Sequence, residues 1–399
     1  MRFLLIGAIL LLAGCAVTAP EPTATPGPPR SAWGTIFTLA SAEQMNAPAF
    51  WPGSTLPFAW VEADDAAVTN RLARLSGAGI AASGSVPLPV RPYAQTLLPA
   101  AEGKLHLFWL DANVEDETRL FHALITPNLI VERGPTIVSD EPTLAYALLP
   151  NADGSVWAVT TGGLLSEPGL FARFVDGQGR PRLENLYQIA YDAVWPAFLD
   201  APDGRALFWL GNRDGQVYRA AFIDGQPESP QAITEAPPLG SGDRLDDFLA
   251  GQDRSHEMLF WNIRRADGTA ETWISAAPRG GSWTRPTRLG ISLSPDQPFE
   301  TGFNGGAGMP AAPGESRLSW LRPLNGLFNT LPAAALLDGM LGVVYFQAGE
   351  IVGWQPVVPL SGLLAAPGFA TDRDRHLYLS WSEPVAGEPA RLQFTSTRP

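Results

Sequence analysis

The sequence predicts an all-β fold: a seven-bladed β-propeller closed by an N-terminal outer strand that completes the last blade. Three observations predict it. A short apolar phrase ending in tryptophan recurs seven times, at Trp60, Trp109, Trp157, Trp209, Trp261, Trp320 and Trp381, in steps of 49, 48, 52, 52, 59 and 61 residues. Periods near 50 mark propeller blades or arrays. The 399-residue chain carries 40 Gly and 38 Pro, which favours many turns and short strands over long helices. The seventh repeat stops one strand short, and an unmatched strand stands near the N-terminus.

Each repeat reads as four strands. The first opens on a proline followed by an apolar residue, as in Pro48-Ala49-Phe50, Pro142-Thr143-Leu144, Pro196-Ala197-Phe198 and Pro367-Gly368-Phe369, with Pro92-Tyr93 and Pro298-Phe299 as looser versions and Asp246-Asp247-Phe248 in the fifth repeat. Proline suits a strand's first residue, where no ladder hydrogen bond is lost. Turn signals at Asp153-Gly154 and Asp203-Gly204 carry the chain into the tryptophan phrase, read as the second strand. Phe58, Leu107, Leu207, Leu259, Leu318 and Leu379 stand two residues before the tryptophan, and Ser155 does so in the third repeat. Period two puts that residue and the tryptophan on one face of the sheet. Further turns at Asp214-Gly215, Asp267-Gly268 and Asn325-Gly326 lead to a third strand, such as "VYRAAF" or "RLQFTS". Fourth strands include those starting at Trp283 and Trp354.

The ends decide between an open array and a ring. The chain runs out after "RLQFTSTRP", a third strand, while "WGTIFTLAS" from Trp33 matches the fourth strands. Pairing the two completes the seventh blade and removes an edge open to aggregation. A tandem of β-sandwiches leaves the displaced strand unexplained. On this reading ten of the thirteen tryptophans fill space between blades, and Trp51, Trp195 and Trp273 are left over.

The N-terminus has Arg2, an apolar run from Phe3 to Leu12, then Ala13-Gly14-Cys15. The run is too short to span a bilayer comfortably. Leu12-Ala13-Gly14-Cys15 resembles the lipobox of bacterial lipoproteins, and that resemblance implies a signal peptide over 1–14 and a lipid on Cys15, the single cysteine. Residues 15–30 are rich in Pro, Thr and Ala and read as an extended tether of roughly 45 Å at ~3.1 Å per residue. Residues 31–399 form the propeller. The expected setting is extracytoplasmic and membrane-anchored, as a monomer. A net charge of −13 argues against nucleic acid as a partner.

The blade pattern, a Pro-started inner strand followed by a Trp-bearing strand, resembles bacterial propellers of the sialidase-like kind. The likeness is architectural. The Asp-box of those families is absent, since "NADGSVW" has Asp153 and Gly154 adjacent, and the Phe-Arg-Ile-Pro signature is missing too. His106, His122, His256 and His376 show no metal-ligand spacing. No nucleophile elbow or P-loop occurs. "GFNGGAGMPAAPG" at 302–314 precedes a strand rather than opening a helix. "DANVEDE" and "SGDRLDD" lack the EF-hand pattern, so no cofactor is expected and calcium has no motif to support it.

The turns entering the inner strands and those after the Trp strands share one face of a propeller, and here they are acidic. Arg91, Tyr93, Glu141, Trp195, Asp246 and Gln297 stand at the inner-strand entries and differ from blade to blade. They are the candidate ligand-binding residues, with Trp195 as a stacking face and the two acids favouring hydroxyl-rich or cationic ligands. The functional expectation is a ligand-binding or protein-interaction platform. The alternative is a sialidase-like or other glycan-active hydrolase or lyase, which needs two convergent carboxylates in the mouth.

Overall fold

The structure, a computed structural model, describes residues 33–291 and 316–397 except 43, 52–55, 64–67, 77–78, 87–92, 113–116, 165–166, 202–203, 325–327 and 361. Cys15 and the tether lie outside the described residues, as do Arg91 and Gln297. Seven antiparallel sheets follow one another as blades. Blade 1 is Gln44–Phe50, Leu56–Ala63, Val68–Ser76 and Gly79–Val86, and blade 2 is Tyr93–Pro99, Leu105–Ala112, Thr118–Ile125 and Val131–Ile137. Blade 3 is Thr143–Pro150, Val156–Leu164, Glu167–Val175 and Pro181–Tyr191, and blade 4 is Ala193–Ala201, Gly204–Gly211, Gln216–Ile223 and Gln226–Glu235. Blade 5 is Arg244–Gln252, His256–Arg264, Ala270–Pro278 and the short Thr287–Arg288.

The last two blades depart from that pattern. Blade 6 is Ser316–Pro323, Leu331–Leu337, Met340–Gln347 and Glu350–Pro359, with Gly290–Ile291 added beside its first strand. Blade 7 takes Gly368–Thr371, Leu377–Val385 and Glu388–Ser396 from the C-terminal end and Phe37–Ala42 from the N-terminal end. Phe37 stands opposite Phe394, and Ala42 opposite Ala390. Gly34 N–H donates to the Ser396 carbonyl at 2.8 Å. The ring closes as the displaced strand predicts. No helix among the described residues is long and apolar enough to cross a membrane.

The recurring tryptophan fills the space between blades. Trp109 packs on Ala59, Leu72 and Val86 of blade 1, and Trp209 on Leu149, Val159 and Leu170 of blade 3. Trp261 packs on Phe208 and Val217 of blade 4, Trp381 on Ala334 and Leu341 of blade 6, and Trp60 on Leu392 and Phe394 of blade 7. In each case a second-strand tryptophan seats against the blade before it. Burying such a side chain stabilises through area removed from water, at about 25 cal/mol per Å².

Two repeats differ from the sequence reading. Trp157 instead lies edge-on to Phe174 of its own blade at 4.9 Å and to Phe222 of the following blade at 6.0 Å. Ser155 in place of a leucine marks that change of packing. Trp320 lies in the innermost strand of blade 6, whereas the phrase "RLSW" predicts a second strand. The second strand is "LPAAALL", and the junction of blades 5 and 6 is filled by Trp354 and by Phe346 against Phe260 at 5.3 Å. An apolar-x-Trp phrase reports one buried face, which an inner strand and a second strand both possess. Trp33 and Trp283 precede the strands they were expected to open; Trp283 packs edge-on to Phe208 at 5.9 Å.

Candidate functional site

The inner strands share one local device. Each of the first strands of blades 1 to 6 breaks register near its start, at Asn46/Ala49, Tyr93/Thr96, Thr143/Ala145, Val194/Ala197, Leu245/Asp247 and Ser319/Arg322. A bulge bends the strand and re-aims the extra side chain. The bulged positions include Ala94, Leu144, Trp195, Asp246 and Trp320 on five consecutive blades. Ala94, Trp195 and Trp320 are held at φ 49, 52 and 57°, a left-handed conformation that is uncommon for residues with a side chain.

Buried polar groups of the preceding blade hold these bulges. Trp195 N–H donates to Thr161 Oγ1 at 3.0 Å. Asn262 Nδ2 donates to the Leu321 carbonyl at 3.0 Å, and Leu321 N–H donates to Asn262 Oδ1 at 3.1 Å. Thr272 Oγ1 donates to the same oxygen at 2.8 Å. Asn262 thereby supplies both partners that a bulged backbone loses from its ladder. Asn70 Nδ2 donates to Gln95 Oε1 at 2.6 Å beside the bulge of blade 2.

Of the sequence-derived candidates, Glu141, Trp195 and Asp246 stand at the entries of the inner strands of blades 3, 4 and 5. Tyr93 begins the inner strand of blade 2. Asp246 ion-pairs with Arg244 at 2.7 Å and Arg264 at 2.9 Å. The Arg264 guanidinium in turn lies over the Trp320 ring, 5.2 Å from its centre. Trp195, half-buried, rests on the core between blades 4 and 5. Blades 4, 5 and 6 thus present a tryptophan, an ion pair and a second tryptophan in order. Sequence reasoning missed Trp320 because its phrase counted as an anchor, and missed Arg264, which follows "MLFWNI" at the end of a second strand.

The acidic character expected of this face is balanced by arginine. Glu141 pairs with Arg173 at 2.5 Å, and Thr160 Oγ1 donates to the same carboxylate at 3.3 Å. Asp192 meets Arg213 at 3.5 Å and Asp243 meets Arg265 at 2.7 Å, while Glu271 pairs with Arg265 and Arg288. Arg173 is 3% exposed; burial lowers its pKa, and the nearby Glu141 opposes that. Glu141 is therefore the counterion of a buried cation rather than a free ligand group.

Further along the inner strands a second polar group gathers. Asp247 of blade 5 and Arg322 of blade 6 form an ion pair at 2.7 Å, with 24% and 28% of their side chains exposed. Burial raises the Asp247 pKa and Arg322 draws it back. Tyr146 of blade 3 feels the charge of both. The Tyr146 hydroxyl donates to the Ala94 carbonyl and lies 3.0 Å from Thr96 Oγ1. Burial raises its pKa, against the hydrogen bond from Thr96, so it stays a neutral phenol.

At the opposite end of the ring, in the turn 372–376, Asp372, Asp374 and His376 bring possible metal-ligating atoms within 4.8 Å of one another. Internal bonds account for much of that cluster: Asp372 Oδ2 takes a hydrogen bond from the Tyr378 hydroxyl at 2.7 Å and lies 3.0 Å from His376 Nδ1.

No protein-family model matches the chain, and comparison with curated proteins finds no match. Solved structures do resemble it. The polysaccharide lyase Uly1 superposes with a TM-score of 0.51 at 9% sequence identity, over 89% of this chain and 89% of that one. A protein of unknown function from Dyadobacter fermentans DSM 18053 gives 0.44 at 9% identity, over 76% of this chain and 94% of that one. A GH43_1 enzyme from Xanthomonas citri gives 0.41 at 13% identity, over 63% of this chain and 94% of that one. The likeness is one of fold.

Proposed function

We propose that the protein binds a hydroxyl-rich, glycan-type ligand at the entrance of its ring, on Trp195, Trp320 and the Asp246–Arg264 pair between them. The observation that carries this reading is the pair of tryptophans at φ 52 and 57° in matching bulges of blades 4 and 6. Strained backbone retained at one place points to a functional demand there. Indole faces offer apolar contact area, and an ion pair has spare donors and acceptors for hydroxyl groups. The sequence-based preference for cations loses its support, because Glu141 and Asp246 already carry arginine partners.

Turnover of the glycan is the second reading. It is favoured by Uly1, a polysaccharide lyase whose fold spans most of this chain. Two-carboxylate hydrolysis requires one carboxyl group able to act as an acid and another as base or nucleophile. Glu141, Asp246 and Asp247 are each held by an arginine, which supports binding over hydrolysis. The test is titration of tryptophan fluorescence with neutral trisaccharides (cello-, xylo-, manno- and maltotriose), alongside assays for new reducing ends and for unsaturated products. Trp195→Ala and Trp320→Ala should each weaken binding by ~10-fold or more, a loss of about 1.4 kcal/mol or more. Failure of every saccharide to bind refutes the reading.

We further propose that Cys15 carries a lipid anchor that presents this mouth outside the cytoplasm. Cys15→Ser should move the protein from the membrane pellet to the soluble fraction, and unchanged pelleting overturns the anchor.

A further inference from the structure

Asp247 and Arg322 stand beside the bulges on the inner strands of blades 5 and 6, and their side chains remain partly exposed. Taking two charges from water costs more than their mutual attraction returns unless the remaining lone pairs and protons also find partners. Among the described residues Asp247 and Arg322 have no ion-pair partner but each other. The neighbouring phenol offers no help: Tyr146 spends its proton on the Ala94 carbonyl and faces Thr96. The pair meets through Asp247 Oδ2 and one guanidinium nitrogen at 2.7 Å, and its partly exposed side chains face the ring interior from the inner strands with further capacity for hydrogen bonds.

We propose that Asp247 and Arg322 form a subsite for the vicinal diol of a neutral sugar, a step that rests on the glycan-binding reading above. A hydroxyl can donate and accept, so one can donate to the Asp247 carboxylate while its neighbour accepts from Arg322. Both spare capacities are met without parting the ion pair. A carboxylate on the ligand would also accept from Arg322, but it would stand as a further negative charge against Asp247 and the adjacent Asp246. A ligand ammonium would meet Arg322 as a like charge. The subsite selects neutral sugars over uronates and amino sugars, and Trp195 and Trp320 supply the stacking that is common to all of them.

The test uses the mature full-length chain and the tightest-binding of the four neutral trisaccharides. Its counterparts carry, at one terminal sugar, either a deoxygenated position in the vicinal pair or a uronic acid. Wild type should bind the neutral parent ~10-fold or more tightly than either counterpart. Asp247→Asn and Arg322→Gln should bring the three within about twofold of one another, while Trp195→Ala weakens all three alike. Arg322→Lys, which keeps the charge and loses the fork of donors, should restore discrimination against the uronate but not against the deoxy sugar. Equal binding of the three by wild type, or unchanged discrimination in Asp247→Asn and Arg322→Gln with the parent still bound, overturns the diol subsite and leaves the glycan reading standing. A wild type that binds none of the trisaccharides removes both.

Discussion

Acidification should destabilise the ring through one buried pair of histidines. His106 Nε2 lies 2.8 Å from the Gly154 carbonyl, and His106 Nδ1 lies 2.8 Å from His122 Nε2. A carbonyl only accepts, so His106 donates from Nε2 and must accept at Nδ1. His122 therefore donates from Nε2, and its Nδ1 is a bare, buried lone pair with no hydrogen-bond partner among the described residues. Both rings are neutral in the fold. Burial lowers the His122 pKa well below the usual value, helped by His106 and by Arg133. Burial also lowers that of His106, against the Gly154 bond and Asp176. The unfolded chain takes up these protons near pH 6.5, and the folded chain does so only further down. Stability is therefore fully present above about pH 6.5 and falls as the pH drops, by up to ~1.4 kcal/mol per pH unit from His122 alone and less from His106. Urea unfolding at pH 7.5, 6.5 and 5.5 measures it. A His106→Gln/His122→Leu variant starts less stable but should lose ~1.4 kcal/mol less than wild type between the last two pH values. Parallel pH profiles for the two proteins refute the tautomer chain.

Two further outcomes follow from the packing. Glu141→Gln leaves Arg173 buried with its charge unbalanced and should cost ~3–5 kcal/mol in urea unfolding; a loss under ~0.5 kcal/mol would mean that Arg173 has another counterion. Trp261→Ala should cost ~3–5 kcal/mol through the cavity between blades 4 and 5, while Trp320→Ala, half-buried on an inner strand, should cost clearly less in the same measurement.

The sequence by itself determined the blade count, the ring and its closure. These rest on short-range rules repeated many times: a two-residue period, glycine turns, and an apolar residue wherever two sheets meet. A strand left over at one end and missing at the other is visible in one dimension. It also marked Trp195, Asp246 and Glu141, because a residue that varies inside a repeating frame stands out. Only the tertiary structure decided what those residues meet. Arg173 and Arg264 lie 32 and 18 positions from the acids they neutralise, and the Arg322–Asp247 pair joins two blades; no periodicity announces a contact between strands of different blades. The same limit hid Trp320. Its phrase repeats the anchor pattern, yet it sits in an inner-strand bulge clamped by Asn262 from the neighbouring blade, and a bulge is set by the partner strand and the adjoining blade as much as by its own residues.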